Sequence, residues 1–521
     1  MKTQVPKDFI DQVIDRVDLV ELISARVAVK KRGKNYLACC PFHDEKTPSF
    51  NINPVKQFYY CFGCSASGDV ISFLMDYDKL SFMEAVEELA DIAGLSVPVI
   101  NTSFANFSQG KAEASSNNSQ KSFSEPNSSA NFSAANSAAN FGAPSFTQIL
   151  FALLNQVSNF YQLNLKNIAK NKDNKDKEDA VNYLKKRGIS GEIAKRYNIG
   201  WVDSQWDNLS KVFLNKLIKV SRKSNKSKAL SKNRDDVTPN FDASASALVT
   251  IDLLEKAGLL IRSENNKVYD RFRDRIIFPI RDKRGRVLAF GGRIIDKDGM
   301  PKYLNSPETM LFIKGQVLYG LYEAMQACRD FKRICVVEGY MDVIALAQNE
   351  INYAVATLGT ATSSEHIRQL LKLTQEIVFC FDGDRAGKAA AWRALETALP
   401  FMTGAFQIKF LFLPDGEDPD SMVQKHGKSA FELSLDKSPP LSEVLFSYLS
   451  DGIDFTFADG KAMFLDKVMP LLSQVPDGSY QVILCEGVAK KVQLSLVEVQ
   501  KQLARFVTQK DYKADYNADY K

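Results

Sequence analysis

Histidine and tryptophan are scarce, with three of each in 521 residues. Two of the histidines, His366 and His426, have no metal-spaced partner and read as packed or solvent-facing imidazoles. Residues 1–23 hold no long uninterrupted apolar run and no cleavage-site pattern, so neither signal peptide nor transmembrane span is read there. Cysteine is sparse too: eight residues, four of them between Cys39 and Cys64 and the rest scattered through apolar sequence. Such clustering argues for a metal site over a disulfide framework, and a cytosolic, reducing compartment is expected. Arg385-Ala-Gly-Lys388 lacks P-loop spacing, which leaves ATPase chemistry unsupported. The net charge is only +5, but 13 Lys/Arg stand against 7 Asp/Glu between Ile261 and Lys314, so the basic excess is local.

What the sequence does have is a series of apolar runs that end in carboxylates. Ile334-Cys-Val-Val337 ends in Glu338, and Ile377-Val-Phe-Cys-Phe381 ends in Asp382-Gly383-Asp384. Short apolar runs bounded by Gly and acids read as buried parallel strands. Tyr353–Leu358 and Ile408–Leu413 supply two more, with helical patterns at Met341–Gln348, Ser364–Thr374 and Ala386–Leu399 between them. The alternation predicts a doubly wound α/β unit. Its ligands bind beyond the strand carboxyl ends, where Glu338, Asp382, Asp384 and the loop Asp415-Gly-Glu-Asp-Pro-Asp420 fall. Clustered carboxylates without His or Cys favour Mg²⁺ or Mn²⁺ and suggest phosphoryl or nucleotidyl transfer. Solvated acids in strand-to-helix loops are the plainer alternative, and three coincident strand ends weigh against it.

Earlier in the chain, Phe9 to Ile23 has helical spacing, and Lys30-Lys-Arg-Gly-Lys34 adds a basic strip. Cys40-Pro-Phe-His43 and Cys61-Phe-Gly-Cys64 are two knuckles a hairpin apart, which suits one tetrahedral Zn²⁺. Four protein ligands leave no open position, so this zinc is expected to be structural. Cys40 is preferred to Cys39 because its spacing to His43 is shorter. Phe50, Phe58, Tyr59, Tyr60 and Phe62, interleaved with Lys34, Lys46 and Lys56, offer either core packing or a stacking face for single-stranded bases. Ser81–Ala93 reads as a helix closed by Gly94. From residue 101 to 145, Ser, Asn and Ala make up 29 of 45 positions, the composition of a linker. Lys211 to Arg234 holds nine Lys/Arg and no acid, and 220–234 reads as a surface insertion before a nucleic-acid contact.

Three stretches, Val336-Val-Glu-Gly-Tyr-Met-Asp-Val-Ile344, Phe381-Asp-Gly-Asp-Arg-Ala-Gly387 and Leu413-Pro-Asp-Gly-Glu-Asp-Pro-Asp420, resemble the TOPRIM core of bacterial DnaG-type primases. Cys40-Pro-Phe-His-Asp-Glu-Lys-Thr-Pro-Ser-Phe50 with Cys61-Phe-Gly-Cys64 resembles the same family's zinc-binding domain. Tyr269–Arg281, Arg286–Arg293, Pro301–Thr309 and Phe312–Tyr322 resemble the basic half of its polymerase domain. The resemblance implies catalytic, magnesium-binding acids at Glu338, Asp382 and Asp384, supported by Asp342, Asp418 and Asp420. It implies template or nucleotide contacts at Arg187, Arg293, Lys302 and Lys314, although cations at such positions are commonly plain surface charges.

The expected fold class is multidomain α+β and α/β. In order come an N-terminal zinc ribbon (1–100), the linker (101–145), a mixed α/β basic domain (146–333, inserted near 220–247), a doubly wound TOPRIM parallel sheet (334–420), a C-terminal helical subdomain (421–507) and a loose tail (508–521). The helices expected after Asp420 are Leu441–Leu449, Lys461–Leu472 and Val482–Val507. The implied function is a DNA primase, a DNA-templated RNA polymerase that starts short RNA primers de novo for replication. Its implied cofactors are one structural Zn²⁺ and two or more Mg²⁺ or Mn²⁺; its partners are single-stranded DNA, ribonucleoside triphosphates and the primer product. A monomer at the replication fork is expected, with no membrane partner. The family implies a replicative helicase as partner, yet the sequence shows no docking domain of the usual size, which is expected to be absent or truncated. A TOPRIM nuclease or topoisomerase shares the acids but not the zinc domain, and no nucleophilic-tyrosine domain is identifiable. A non-catalytic single-strand binder accounts for the basic and aromatic residues but not for the acids.

Overall fold

The computed structural model describes residues 5–93, 95, 146–168, 175–220, 245–296 and 299–518. The expected linker lies outside them, as do Gly94 and most of the expected insertion. The chain divides into two compact units, one within 1–145 and the other built from 146–221 and 244–521.

The first unit holds an antiparallel meander of β1 (Lys30–Arg32), β2 (Asn35–Ala38), β3 (Phe50–Asn53), β4 (Phe58–Cys61) and β5 (Ser67–Gly68), hydrogen-bonded in that order. Phe50 pairs with Ala38 on one side and Cys61 on the other, so the turn after β2 and the turn after β4 lie level. Alternation along β3 and β4 buries Phe50, Ile52, Tyr59 and Cys61 against the apolar faces of the helices Val70–Tyr77 and Phe82–Ala93. The opening segment forms two helices, Lys7–Arg16 and Leu19–Ser24, where the periodicity predicts one. Asp18 breaks it by accepting the Glu21 N–H as an N-cap.

In the second unit the long helix Phe146–Ile168 packs on an antiparallel sheet. Its strands are β6 (Gly200–Val202), then, past the antiparallel pairs β7 (Leu217–Val220)–β8 (Ala245–Leu248) and β9 (Leu260–Arg262)–β10 (Val268–Asp270), β11 (Arg275–Arg281), β12 (Val287–Ile294) and β13 (Tyr303–Asn305), in the order β13-β12-β11-β6. Residues 245–247, expected within the insertion, belong to β8. A parallel sheet follows: β14 (Ile334–Val337), β15 (Ala354–Ala356), β16 (Glu376–Phe381) and β17 (Gln407–Phe412), ordered β15-β14-β16-β17.

Both faces of this sheet are apolar, which is why its strands read as unbroken runs. Cys335, Val337, Val378 and Cys380 join one core with the helix Tyr340–Gln348 and with Ile276, Phe278 and Ile280 of the antiparallel sheet. Ile334, Val336, Ile377, Phe379 and Phe381 face a second core shared with the helices Arg385–Ala398, Leu441–Ser450, Ala458–Leu472 and Ser479–Val492. The basic half and the TOPRIM half therefore share one core.

Three differences fall after Asp420. A helix Pro419–Asp436, additional to the three expected in the helical subdomain, begins inside the acidic loop, started by Asp418 as N-cap and Pro419 in its first turn. The expected helix Val482–Val507 is two, Ser479–Val492 and Leu496–Ala518, because Gln493 adopts the left-handed conformation (φ 59°) and the Ser495 hydroxyl accepts from the Glu498 N–H. That last helix runs on to Ala518, into the expected tail.

Candidate functional site

In the first unit, the register of β2, β3 and β4 brings Cys40, His43, Cys61 and Cys64 together, with their ligand atoms all within 4.8 Å of one another. Cys40 Sγ lies 3.7 Å from Cys64 Sγ, and Cys61 Sγ 3.8 Å from His43 Nδ1. Bonds of roughly 2.3 Å to a tetrahedral zinc give S···S edges of about 3.8 Å, so the donors fit the ion. Backbone N–H groups of Phe42 and Gly63 donate to Cys40 Sγ and Cys61 Sγ at 3.4 and 3.3 Å; at Cys40 this offsets part of the burial that pushes its thiol up. Cys39 is exposed and stands outside the group. On the same meander the aromatics divide as alternation requires: Phe50 and Tyr59 are buried, whereas Phe58, Tyr60 and Phe62 are exposed.

In the second unit, β15 lies on one side of β14 and β16 on the other, so the chain reverses its direction of travel across the sheet between β14 and β16. Open α/β sheets bind ligands at such a point. Glu338 follows β14 directly and Asp382 follows β16 directly, which puts the two carboxylates at adjacent strand ends. Asp384 is the N-cap of the helix Arg385–Ala398 and accepts the Gly387 N–H at 2.7 Å. The turn is tight: a Cβ on Gly383 would lie 2.1 Å from the Leu413 carbonyl oxygen, and one on Gly387 2.1 Å from that of Asp382.

The acids crowd one another. Glu338 has its pKa raised by desolvation and by the charges of Asp382 and Asp384. Asp382 is raised by desolvation, Asp418 and Asp384. Burial, with Asp418, Asp382 and Asp420 nearby, pushes Asp342 up to about 8 against a 3.0 Å hydrogen bond from the Gly339 N–H. Asp420 is 3% exposed and also raised by burial, although Arg187 Nη1 lies 2.9 Å from its Oδ2. Mutually raised carboxylates that share one strand edge are what a divalent cation would relieve, and their all-oxygen donor set suits a hard ion.

The basic residues enter differently. Arg187 meets the cluster directly through Asp420. Arg293 is buried; its guanidinium lies 4.9 Å from the Tyr303 ring centroid and 5.4 Å from that of Tyr183, and it donates to the Tyr303 hydroxyl. Arg187 also lies over Tyr183, at 5.7 Å. Lys302 is exposed on the approach to β13. The Lys314 carbonyl is 3.0 Å from buried His366 Nε2, whose Nδ1 accepts the Ser363 N–H at 3.3 Å, so His366 is a packed residue that ties the 314 loop to the TOPRIM half. Among the described residues, no hydrogen bond or ion pair joins the Lys302 or Lys314 side chain to the acids.

Sequence reasoning passed over Tyr183, Asn305 and Tyr340, which assemble the site. Tyr340 stacks on Phe278 (5.3 Å, 4°) and donates to Asn305 Oδ1 at 2.6 Å, while a Cβ on Gly291 would lie 2.5 Å from its ring. The Gly291-Gly292 pair was the available signal, since it marks a close approach of backbone to something bulky.

A zinc ribbon together with a carboxylate-lined switch point in a TOPRIM sheet defines a class of metal-dependent nucleotidyl-transfer proteins. The comparisons narrow it. Family models match at 5–104 (CHC2 zinc finger), at 167–244 and 240–325 (DNA primase catalytic core, N-terminal domain), at 335–423 (Toprim-like) and at 442–496 (DnaB-helicase binding domain of primase). The DNA primase of Salmonella typhimurium is 44% identical over 492 residues, which cover 94% of this chain and 72% of that protein. The Escherichia coli primase catalytic core is 43% identical with a TM-score of 0.56, over 66% of this chain and 98% of that one. The Aquifex aeolicus primase zinc-binding and RNA polymerase domains are 26% identical with a TM-score of 0.51, over 96% of this chain and 99% of that one.

The chain belongs to the bacterial DnaG-type DNA primases. Its activity is that of a DNA primase, a nucleotidyltransferase of the DNA-directed RNA polymerase type that makes primers for replication. The expectation of a missing helicase-docking element is overturned by the match at 442–496, which covers the helices from Leu441 to Val492. Its signal is an amphipathic helix pattern with no diagnostic chemistry, so the residues alone did not disclose it. Among the described residues no helix is long and apolar enough to cross a membrane.

Proposed function

We propose that Glu338, Asp382 and Asp384 hold the divalent ions of primer synthesis, with Asp342, Asp418 and Asp420 shaping the cluster behind them. The observation that carries this reading is the placement of Glu338 and Asp382 at neighbouring strand ends on the switch point of the parallel sheet. Two or more Mg²⁺ or Mn²⁺ ions bound there would activate the attacking 3′-hydroxyl and neutralise the departing pyrophosphate. Asp384 keeps Oδ1 on the Gly387 N–H, which leaves Oδ2 for an ion. Arg187 offsets the charge of Asp420 and, with Arg293, Lys302 and Lys314, meets template and triphosphate phosphates. Tyr183 and Tyr303 hold the Arg293 guanidinium in place for that contact.

The substrates on this reading are ribonucleoside triphosphates, the template is single-stranded DNA, and the product is a short RNA begun without a primer. A solved relative 42% identical to this chain, a DnaG primase catalytic domain bound to ssDNA, supports the template. Zinc held by Cys40, His43, Cys61 and Cys64 keeps the first unit folded and presents Phe58, Tyr60 and Phe62 to unpaired bases. The helices of 442–496 dock a replicative helicase, which places the protein at the cytoplasmic replication fork.

The test is label incorporation from ribonucleotides on unprimed single-stranded DNA with Mg²⁺ or Mn²⁺, comparing wild type with Asp382→Ala. RNA from wild type alone supports the assignment; RNA from both moves the metal site elsewhere.

A further inference from the structure

Glu45 belongs to no set assigned above, yet its carboxylate touches three of the four zinc-site residues, directly or through one neighbour. Oε1 accepts the Cys40 N–H at 2.5 Å and the Ser49 N–H at 3.1 Å. Oε2 lies 3.4 Å from His43 Nε2. Ser49, held by that same carboxylate, puts its Oγ 3.1 Å from Cys61 Sγ. Glu45 is only partly exposed, on the loop between β2 and β3.

The two ring nitrogens of His43 therefore have different neighbours. Nδ1 faces the thiolates, 3.8 Å from Cys61 Sγ, and Nε2 faces Glu45. Gly63 packs close on the same ring edge, where an added Cβ would lie 2.5 Å from Nε2. A carboxylate behind the second nitrogen of a ligating imidazole fixes its tautomer and ring orientation and raises its basicity, and loss of such a partner weakens metal binding roughly 10–100-fold.

We propose that Glu45 is the positioning residue of the zinc site: it sets His43 to ligate through Nδ1 and fixes Cys40 and Cys61 through the Cys40 amide and Ser49. The inference rests on the zinc reading of Cys40, His43, Cys61 and Cys64, and the experiment separates the two.

The full chain is titrated with Zn²⁺ against a chromophoric chelator, and with Co²⁺ for the visible bands of a tetrahedral thiolate site. Four proteins are compared: wild type, Glu45→Gln, Asp44→Asn and Cys40→Ser. Asp44 is the adjacent, exposed acid, so Asp44→Asn removes the same charge without the contacts. Expected is one tight zinc in wild type and Asp44→Asn, a zinc affinity roughly 10–100-fold weaker in Glu45→Gln with the tetrahedral cobalt bands retained, and no tight site in Cys40→Ser. Equal affinity in wild type and Glu45→Gln overturns the proposal while leaving the zinc reading intact. Equal weakening in Asp44→Asn overturns it in favour of general charge. Loss of the tetrahedral bands in Glu45→Gln also overturns it, because Glu45 would then be building the fold. Absence of zinc from wild type overturns the underlying reading itself.

Discussion

Arg187 and Asp420, 233 residues apart in sequence, form an ion pair at 2.9 Å on the edge of the acidic cluster. The carboxylate is almost wholly buried and the guanidinium half-exposed, so the pair joins the helical segment before β6 to the helix that leaves the TOPRIM sheet. Arg187→Ala strands the Asp420 charge. We expect a loss of about 1–3 kcal/mol in the urea unfolding of the full chain. Primer synthesis should fall at least tenfold, and Arg187→Lys, which keeps the charge without the fork, should recover only part of both.

Gly383→Ala tests the tight turn. Its new Cβ meets a backbone carbonyl, which cannot rotate away as a side chain can, so the Asp382–Asp384 segment must move. The expected cost is about 1–3 kcal/mol by thermal unfolding. RNA synthesis should fall far more than folding does, and wild-type activity in this variant would show that the turn tolerates displacement.

Carboxyls raised above their ordinary pKa bind more protons in the folded state than in the unfolded one, so stability falls as pH rises through that interval. For Asp342 the interval runs from the ordinary value near 4 to about 8, and Glu338 and Asp382 act in the same direction. Without divalent ions, this cluster should lose its contribution to the melting temperature between those limits. Mg²⁺ should raise the melting temperature more at pH 8 than at pH 6, and Asp342→Asn should flatten the metal-free profile. A metal-free profile with no such fall would mean that the cluster is relieved some other way.

Neighbouring cysteines should behave oppositely. Cys39→Ser leaves zinc stoichiometry and the melting of the first unit unchanged, because Cys39 stands outside the ligand group. Cys40→Ser removes one zinc and lowers that unit's melting temperature; zinc content by atomic absorption, read beside circular dichroism, distinguishes them.

The parallel sheet was legible because both of its faces are buried, which turns strands into unbroken apolar runs such as Ile377–Phe381 that stop at an acid. The zinc ligands were legible because their spacing is local. Contacts between distant segments were harder to read: the Arg187–Asp420 pair and the Tyr183 ring beside Arg293 left no local trace, Tyr303 meets Arg293 only through the β12–β13 register, and the seat of Tyr340 was marked solely by the Gly291-Gly292 pair. Helix interruptions at Asp18 and Gln493 were missed for the opposite reason. Apolar periodicity continues across both, and only the backbone conformation or the cap reveals the break.

Tyr340 stacked on Phe278 and fitted against Gly291 has a consequence for protein engineering. A chimera that transplanted residues 334–420 alone into another scaffold would arrive with the Phe278-facing side of its first helix bare and its acids out of alignment. The smallest portable catalytic cassette must also carry β11 and β12, and a recombination point between Arg333 and Ile334 would cut through a single core.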